Sequence, residues 1–322
     1  MAALQRRYFL KQASVLALSA FFNPHPRTIF SPTTASTSST ASILSNSPTS
    51  PESLEQKIII NLPSYELTLL SLEKGSLAEK HVFTVGIGRN AYGRDPTPVG
   101  EGLVSEKRDR VVFRYGQDYP QYNKKRGDVI SWTNTYDENG KPVGYKMPYK
   151  EMRSLTMKIK STANGYLYWN DKYVIHSTTD EFTLGTPSSE GCIRLGMKDM
   201  LKLYDLVVPD AKKGELKNPV KLNITYKVLE LKNESLIIHA DVYKKNIDYA
   251  EEFKAGILNT GPDILGFNHE RVKKEFADAN AEFEAAHKEI LSRLLKDWPD
   301  NYLSPELRQK LHRTYKLSEF AK

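Results

Sequence analysis

The chain holds a single cysteine, Cys192, in the run Ser188-Ser189-Glu190-Gly191-Cys192-Ile193-Arg194-Leu195, and His176 stands sixteen residues before it. A thiol attacks a carbonyl as the thiolate, and an adjacent imidazole can take the proton. Glycine before the cysteine leaves the backbone open, so that amides can approach a developing oxyanion. These residue types at this spacing point to acyl transfer, with Cys192 as nucleophile, His176 as general base and Gly191 as an oxyanion amide. A free cysteine elsewhere is usually a small buried hydrophobe. Here the compartment argues otherwise, because exported proteins normally pair their cysteines and this thiol has no partner.

The compartment is read from Gln5-Arg6-Arg7-Tyr8-Phe9-Leu10-Lys11, which matches a twin-arginine export signal. The apolar stretch that follows, Ala13 to Phe22, is too short to span a bilayer, which needs roughly twenty apolar residues. Residues 1–30 are therefore expected to be a signal region, with the folded part in the periplasm or cell envelope and the membrane met only through that region. Residues 31–56, rich in Ser, Thr and Pro, read as a flexible linker. The net charge of +7 includes Arg6, Arg7 and Lys11 of the signal, and no basic cluster forms a nucleic-acid footprint. The seven histidines include no i, i+4 pair and Cys192 has no cysteine partner. No metal and no cofactor is expected.

Several elements must position the thiol and the imidazole. Short β-rich runs at Ile58–Leu62 and Glu66–Leu70, joined through Pro63-Ser64, predict a hairpin. Further strands are predicted at His81–Gly86, Gly165–Trp169, Tyr173–His176, Val220–Tyr226 and Leu236–His239. One helix, Lys198–Val207, follows the cysteine motif. The pattern predicts a mainly β domain, a β-sandwich or barrel-like core, over residues 57–245. His176 then ends a strand, and Cys192 lies at a loop-to-helix transition whose amides would favour the thiolate. Residues 246–322 read as a helical extension. Val272, Phe276, Phe283, Ile290 and Leu294 form one stripe ending at Trp298-Pro299, and Ser304-Pro305 starts a second helix with Leu307, Leu311 and Tyr315 inward.

The block His176-Ser177 with Ser189-Glu190-Gly191-Cys192-Ile193-Arg194 resembles the L,D-transpeptidase catalytic (YkuD-type) domain family, in its periplasmic Cys-Ile-Arg branch. Thr97-Pro98-Val99-Gly100 and the closing segments Val220–Tyr226 and His239–Tyr243 add to the likeness. The resemblance implies that Cys192 attacks the third residue of a peptidoglycan tetrapeptide stem and that the carbonyl of Ser177 orients His176. An amine of a neighbouring stem, giving a 3→3 cross-link, or of an envelope protein would then resolve the thioester. Arg194, Ser189, Tyr168 and Trp169 are candidate substrate contacts. Arg194 could instead brace its loop through Glu190 or Asp199. Glu190 replaces the family's usual histidine, and its charge should turn away or be neutralised by Arg194 or Lys198. The segment Arg108–Lys150 reads either as a lid or groove wall or as a solvated insertion. Two alternatives to transfer stay open: an L,D-carboxypeptidase or amidase using the same cysteine, and a disabled wall-binding module.

Overall fold

The computed structural model describes residues 55–320, apart from 90–95, 115–117, 119, 121–122, 124, 137–141, 164–165, 171–172, 209–210, 212, 233, 261–265, 295 and 297–299; within 132–145 and 161–170 it describes the backbone. The signal region of residues 1–30 and the linker as far as residue 54 lie outside the described residues, as does Trp298-Pro299, whereas Glu55 and Gln56, expected to end the linker, open the first strand.

Strand β1 (Glu55–Asn61) and strand β2 (Glu66–Glu73) form the expected hairpin, with Ile58 opposite Leu69 and Ile60 opposite Leu67. All four are buried, as alternation along a pleated strand requires. Strand β3 (Ser76–Thr84) continues the meander. After the short β4 (Ile87–Gly88) comes β5 (Gly100–Asp109), then a hairpin of β6 (Trp132–Tyr136) and β7 (Pro142–Lys146). Next are β8 (Arg153–Ala163), β9 (Tyr166–Asn170), β10 (Val174–Thr178), β11 (Pro187–Ser189) and β12 (Ile193–Gly196). Helix α1 (Met197–Leu206) leads into β13 (Gly214–Thr225), β14 (Leu229–Lys232) and β15 (Ser235–His239).

Nine strands form one mixed sheet in the order β12-β10-β8-β5-β13-β1-β2-β3, with β9 pairing off β8. The sheet curls until its two ends meet. Gly86, just past β3, exchanges both backbone hydrogen bonds with Arg194 of β12, at 2.8 and 2.9 Å, and β4 pairs in parallel with β11. The result is the barrel-like core expected from the strand pattern, with its seam beside the cysteine motif. Closure satisfies edge groups that would otherwise be open to pairing with another chain.

The C-terminal part comprises α2 (Tyr249–Thr260), α3 (His269–Leu294), α4 (Pro305–Gln309) and strand β16 (His312–Lys316). Val272, Phe276, Phe283 and Ile290 are buried along α3, and Ser304 caps α4 by accepting from the Leu307 N–H at 3.2 Å. The predicted second helix is cut short, however. Tyr315 sits on β16, which pairs antiparallel with β15 and makes a three-stranded sheet with β14. An open edge on β15 recruits the segment, which outweighs the weak helical spacing of Leu307, Leu311 and Tyr315. One continuous hydrophobic cluster runs from Ile58 to Phe320, so the core does not divide at residue 245.

Candidate active site

His176 and Cys192 come from adjacent parallel strands. Ile175 is level with Ile193 and His176 with Arg194 across β10 and β12. Cys192, one residue before β12, therefore stands level with Val174, and the His176 side chain lies two residues farther along the same face. The backbone N–H of Val174 lies near enough to the Cys192 sulfur to favour its thiolate. Both side chains are 4% exposed.

The imidazole is held at one nitrogen. His176 Nδ1 is 2.8 Å from the carbonyl oxygen of Ser177. A carbonyl only accepts, so Nδ1 carries the proton and Nε2 is left as the basic nitrogen. Nε2 is buried and has no hydrogen-bond partner among the described residues. The Ser177 hydroxyl bonds the backbone of Arg153 on β8, accepting at 3.1 Å and donating at 3.3 Å, so the carbonyl that orients the ring is itself tied down. Phe113 packs against the imidazole, with ring centres 5.4 Å apart at 67°.

Phe113 belongs to the segment between β5 and β8. With Val111, Ile130 and Met152 it makes a second small hydrophobic cluster, onto which Met147, Tyr149 and Met197 pack. Phe113 and its cluster partners thus wall the imidazole, while the described residues from Arg114 to Val129 are mostly exposed, so the segment combines both readings.

Burial dominates the electrostatics. It pushes the Cys192 thiol up to about 12, with Glu190 adding to the rise and the Val174 N–H and Arg194 opposing it. It pulls His176 down to about 4, helped by the charge of Arg194 and opposed by the Ser177 carbonyl. The resting pair is therefore a neutral thiol beside a neutral imidazole.

Four expectations need correction. Among the described residues no helix N-terminus lies at the cysteine: β12 intervenes and α1 begins only at Met197, whose N–H is taken by Glu181 at 2.9 Å. Arg194 pairs with neither Glu190 nor Asp199. Its guanidinium reaches the Asp180 carboxylate at 3.2 Å, the Thr178 hydroxyl, and Ser188 at 3.4 Å, bracing the 178–188 loop. Of the two cations expected to neutralise Glu190, Arg194 is engaged with Asp180, and the Glu190 charge raises the thiol. Ser189 faces inward rather than toward a groove: its hydroxyl donates to the Cys192 carbonyl at 2.6 Å and accepts from the Gly191 N–H at 3.0 Å.

That last bond engages the Gly191 amide inside its own loop. Gly191 is required for another reason, a backbone φ of +134° that side chains disfavour. Gly88, not singled out from sequence, is also constrained: a Cβ there would lie 2.7 Å from the Gly191 Cα. Nothing local in the sequence signals this contact, which exists only because β4 and β11 are paired. The side chains of Tyr168 and Trp169 fall outside the description, and the structure places only their backbone, on β9.

The family pattern of the L,D-transpeptidase catalytic domain, YkuD, matches residues 55–222, just over half of the chain and all of the His176/Cys192 block. The protein belongs to this family. Among curated relatives, this L,D-transpeptidase-family chain is similar to the probable L,D-transpeptidase YcfS of Escherichia coli strain K12, with 25% identity over 175 residues. The match covers 54% of this chain and 48% of YcfS, so the chain spans about half the length of that relative. Among solved structures, an L,D-transpeptidase from Mycobacterium smegmatis aligns with a TM-score of 0.29 and 17% identity, covering 53% of this chain and 59% of that one. L,D-transpeptidase 1 of Mycobacterium tuberculosis aligns with a TM-score of 0.26 and 14% identity, covering 53% and 62%.

Proposed function

We propose that the protein is a peptidoglycan L,D-transpeptidase of the cell envelope, exported by the twin-arginine route, that works through a thioester on Cys192. The observation that carries this reading is the locked imidazole: Nδ1 on the Ser177 carbonyl, Nε2 buried and unpartnered on the face that holds the thiol. A base awaiting a proton needs such a nitrogen, and here, unlike at the buried Nε2 of His239, the group on the same face is a thiol.

The donor is the third residue of a stem peptide. The Cys192 sulfur bonds to its carbonyl carbon while the thiol proton passes to His176 Nε2. Because both partners are neutral at rest, proton transfer accompanies C–S bond formation. The oxyanion forms beside the Cys192 N–H, since the Gly191 N–H is already engaged. Collapse breaks the C–N bond to the terminal D-Ala, and the imidazolium returns its proton to the leaving amine. An acceptor amine then gives a proton to Nε2 and attacks the thioester, and the sulfur leaves with a proton. The Phe113 wall and the burial of the pair limit water at the thioester, which favours an amine acceptor over hydrolysis.

Purified protein incubated with tetrapeptide-rich peptidoglycan, followed by mass analysis of the digested wall, tests the reading. New 3→3 dimers are expected. Shortened stems alone would make water the acceptor. An unchanged wall, with Cys192 unmodified by a carbapenem, would leave only the binding-module alternative.

A further inference from the structure

The Gly191 carbonyl is held by a chain of buried hydroxyls that begins beyond the residues matched by the family pattern. Thr97 Oγ1 donates to the Gly191 carbonyl oxygen at 2.7 Å and accepts from the Gly88 N–H at 2.9 Å. The Tyr243 hydroxyl donates to the Gly88 carbonyl at 2.8 Å and accepts from the Thr97 N–H at 3.3 Å. Thr97 and Tyr243 are both buried, 1% and 6% exposed. Tyr243 is itself fixed from behind. Its ring stacks on Tyr226 with centres 5.5 Å apart, and its N–H donates to the Tyr226 hydroxyl at 2.8 Å. That hydroxyl in turn donates to Asp241 at 2.6 Å.

The consequence follows from peptide planarity. The Gly191 carbonyl and the Cys192 N–H belong to one trans peptide unit and point in opposite directions. Whatever pins that carbonyl also aims that N–H. Gly191, at φ +134°, has the backbone freedom to let this plane swing if it were not held. Thr97 holds it directly, and Tyr243 holds Thr97 and Gly88 in register.

We infer that Thr97 and Tyr243 are positioning residues for the reaction, setting the direction of the Cys192 N–H toward the oxyanion through the Gly191 peptide plane. This rests on the proposed thioester chemistry, and neither residue touches the reacting atoms. The sequence displays Thr97 only as part of a turn and Tyr243 only as part of a closing segment.

Two reactions of the same sulfur separate aim from general damage. Acylation by a carbapenem passes through a tetrahedral oxyanion, whereas alkylation by iodoacetamide displaces iodide and forms none. In the full chain, Thr97→Val is expected to lower the limiting acylation rate about 10- to 100-fold, with little change in half-saturating carbapenem concentration. Tyr243→Phe should lower the same rate roughly 5- to 30-fold, and Thr97→Ser, which keeps the hydroxyl, should restore it. The double variant should be no slower than Thr97→Val alone, because Tyr243 acts through Thr97. Iodoacetamide should modify Cys192 at the wild-type rate in all of them.

Equal slowing of acylation and alkylation would make the chain of hydroxyls merely structural and overturn the inference. Unchanged acylation in both Thr97→Val and Tyr243→Phe would also overturn it while leaving the thioester reading intact. A wild-type protein that iodoacetamide modifies but no carbapenem acylates would overturn both. If Tyr243→Phe fails to fold, the contrast between Thr97→Val and Thr97→Ser decides alone.

Discussion

The barrel seam and the C-terminal sheet each bury histidine, yet the two sites are built for opposite ends. At the seam, His176 has a backbone carbonyl on one nitrogen and, among the described residues, no hydrogen-bond partner on the other. In the C-terminal sheet, His239 and His312 face each other across β15 and β16, with their Nδ1 atoms 2.8 Å apart. Glu230 lies 3.6 Å from His239 Nε2, while Lys232 and Asn61 reach its carboxylate at 2.5 and 2.6 Å. A carboxylate among cations and donors stabilises itself in a buried site, and Glu230 is held well below the usual carboxylate range. His239 Nε2, like His176 Nε2, has no hydrogen-bond partner among the described residues, so an unpartnered nitrogen does not by itself mark chemistry. What sets the seam apart is the neighbour on the same face, a thiol rather than a carboxylate.

The sharpest way to break this contrast is to remove the seam groups. Cys192→Ser should abolish carbapenem adducts in intact mass, and His176→Ala should slow acylation roughly 10³-fold, the scale of a lost general base. Urea midpoints of these variants should stay near wild type. An acylation rate within tenfold of wild type for His176→Ala would assign the proton to another group.

The next effect is on stability against pH. His176 and His312 are both held down to about 4 by burial, against 6.5 when free. Between those values the unfolded chain binds protons that the folded chain refuses. The stability they contribute is full above pH 6.5 and is lost as pH falls toward 4. Each should cost about 1–3 kcal/mol across that window. Urea midpoints measured from pH 7 to pH 4 should drop, with a shallower slope in His312→Gln.

His239→Leu sharpens the comparison from the other side. It removes a partner from Glu230 and His312 and should cost about 2 kcal/mol in urea unfolding, while the acylation rate holds. A fall in acylation matching that of His176→Ala would erase the distinction between the two sites. The smallest effect concerns Glu190, whose charge raises the thiol. Glu190→Gln should speed acylation at neutral pH about two- to fivefold, as read from stopped-time mass spectra.

What was legible in the sequence was what is local. Cys192, His176 and Gly191 reveal themselves through adjacency and residue type, Ser177 only through the family resemblance, and hydrophobic alternation exposed the β1–β2 hairpin. Partners chosen by tertiary contact stayed hidden. Arg194 takes Asp180 rather than either carboxylate nearer in sequence, because the 178–188 loop folds over β12. Ser189 looked like a groove residue, but its hydroxyl serves the backbone around it. Helical spacing at 307–315 was real but short, and an available strand edge captured Tyr315. Thr97 carries no local sign of its bond to Gly191, ninety-four residues away.

The shared core has a consequence for how the molecule is made. Ile58 near one end of the described chain and Phe320 near the other are fully buried in the same cluster. Strand β1 also pairs in parallel with β13, more than a hundred and fifty residues later. Contacts of such long separation form slowly, because distant segments must meet before any enthalpy is gained. A nascent chain that has not yet released β16 cannot finish its interior, so folding completes only after synthesis has passed residue 320. Until then the unfinished β15 edge is open to aggregation, and a chaperone that shields it would raise the yield of folded protein.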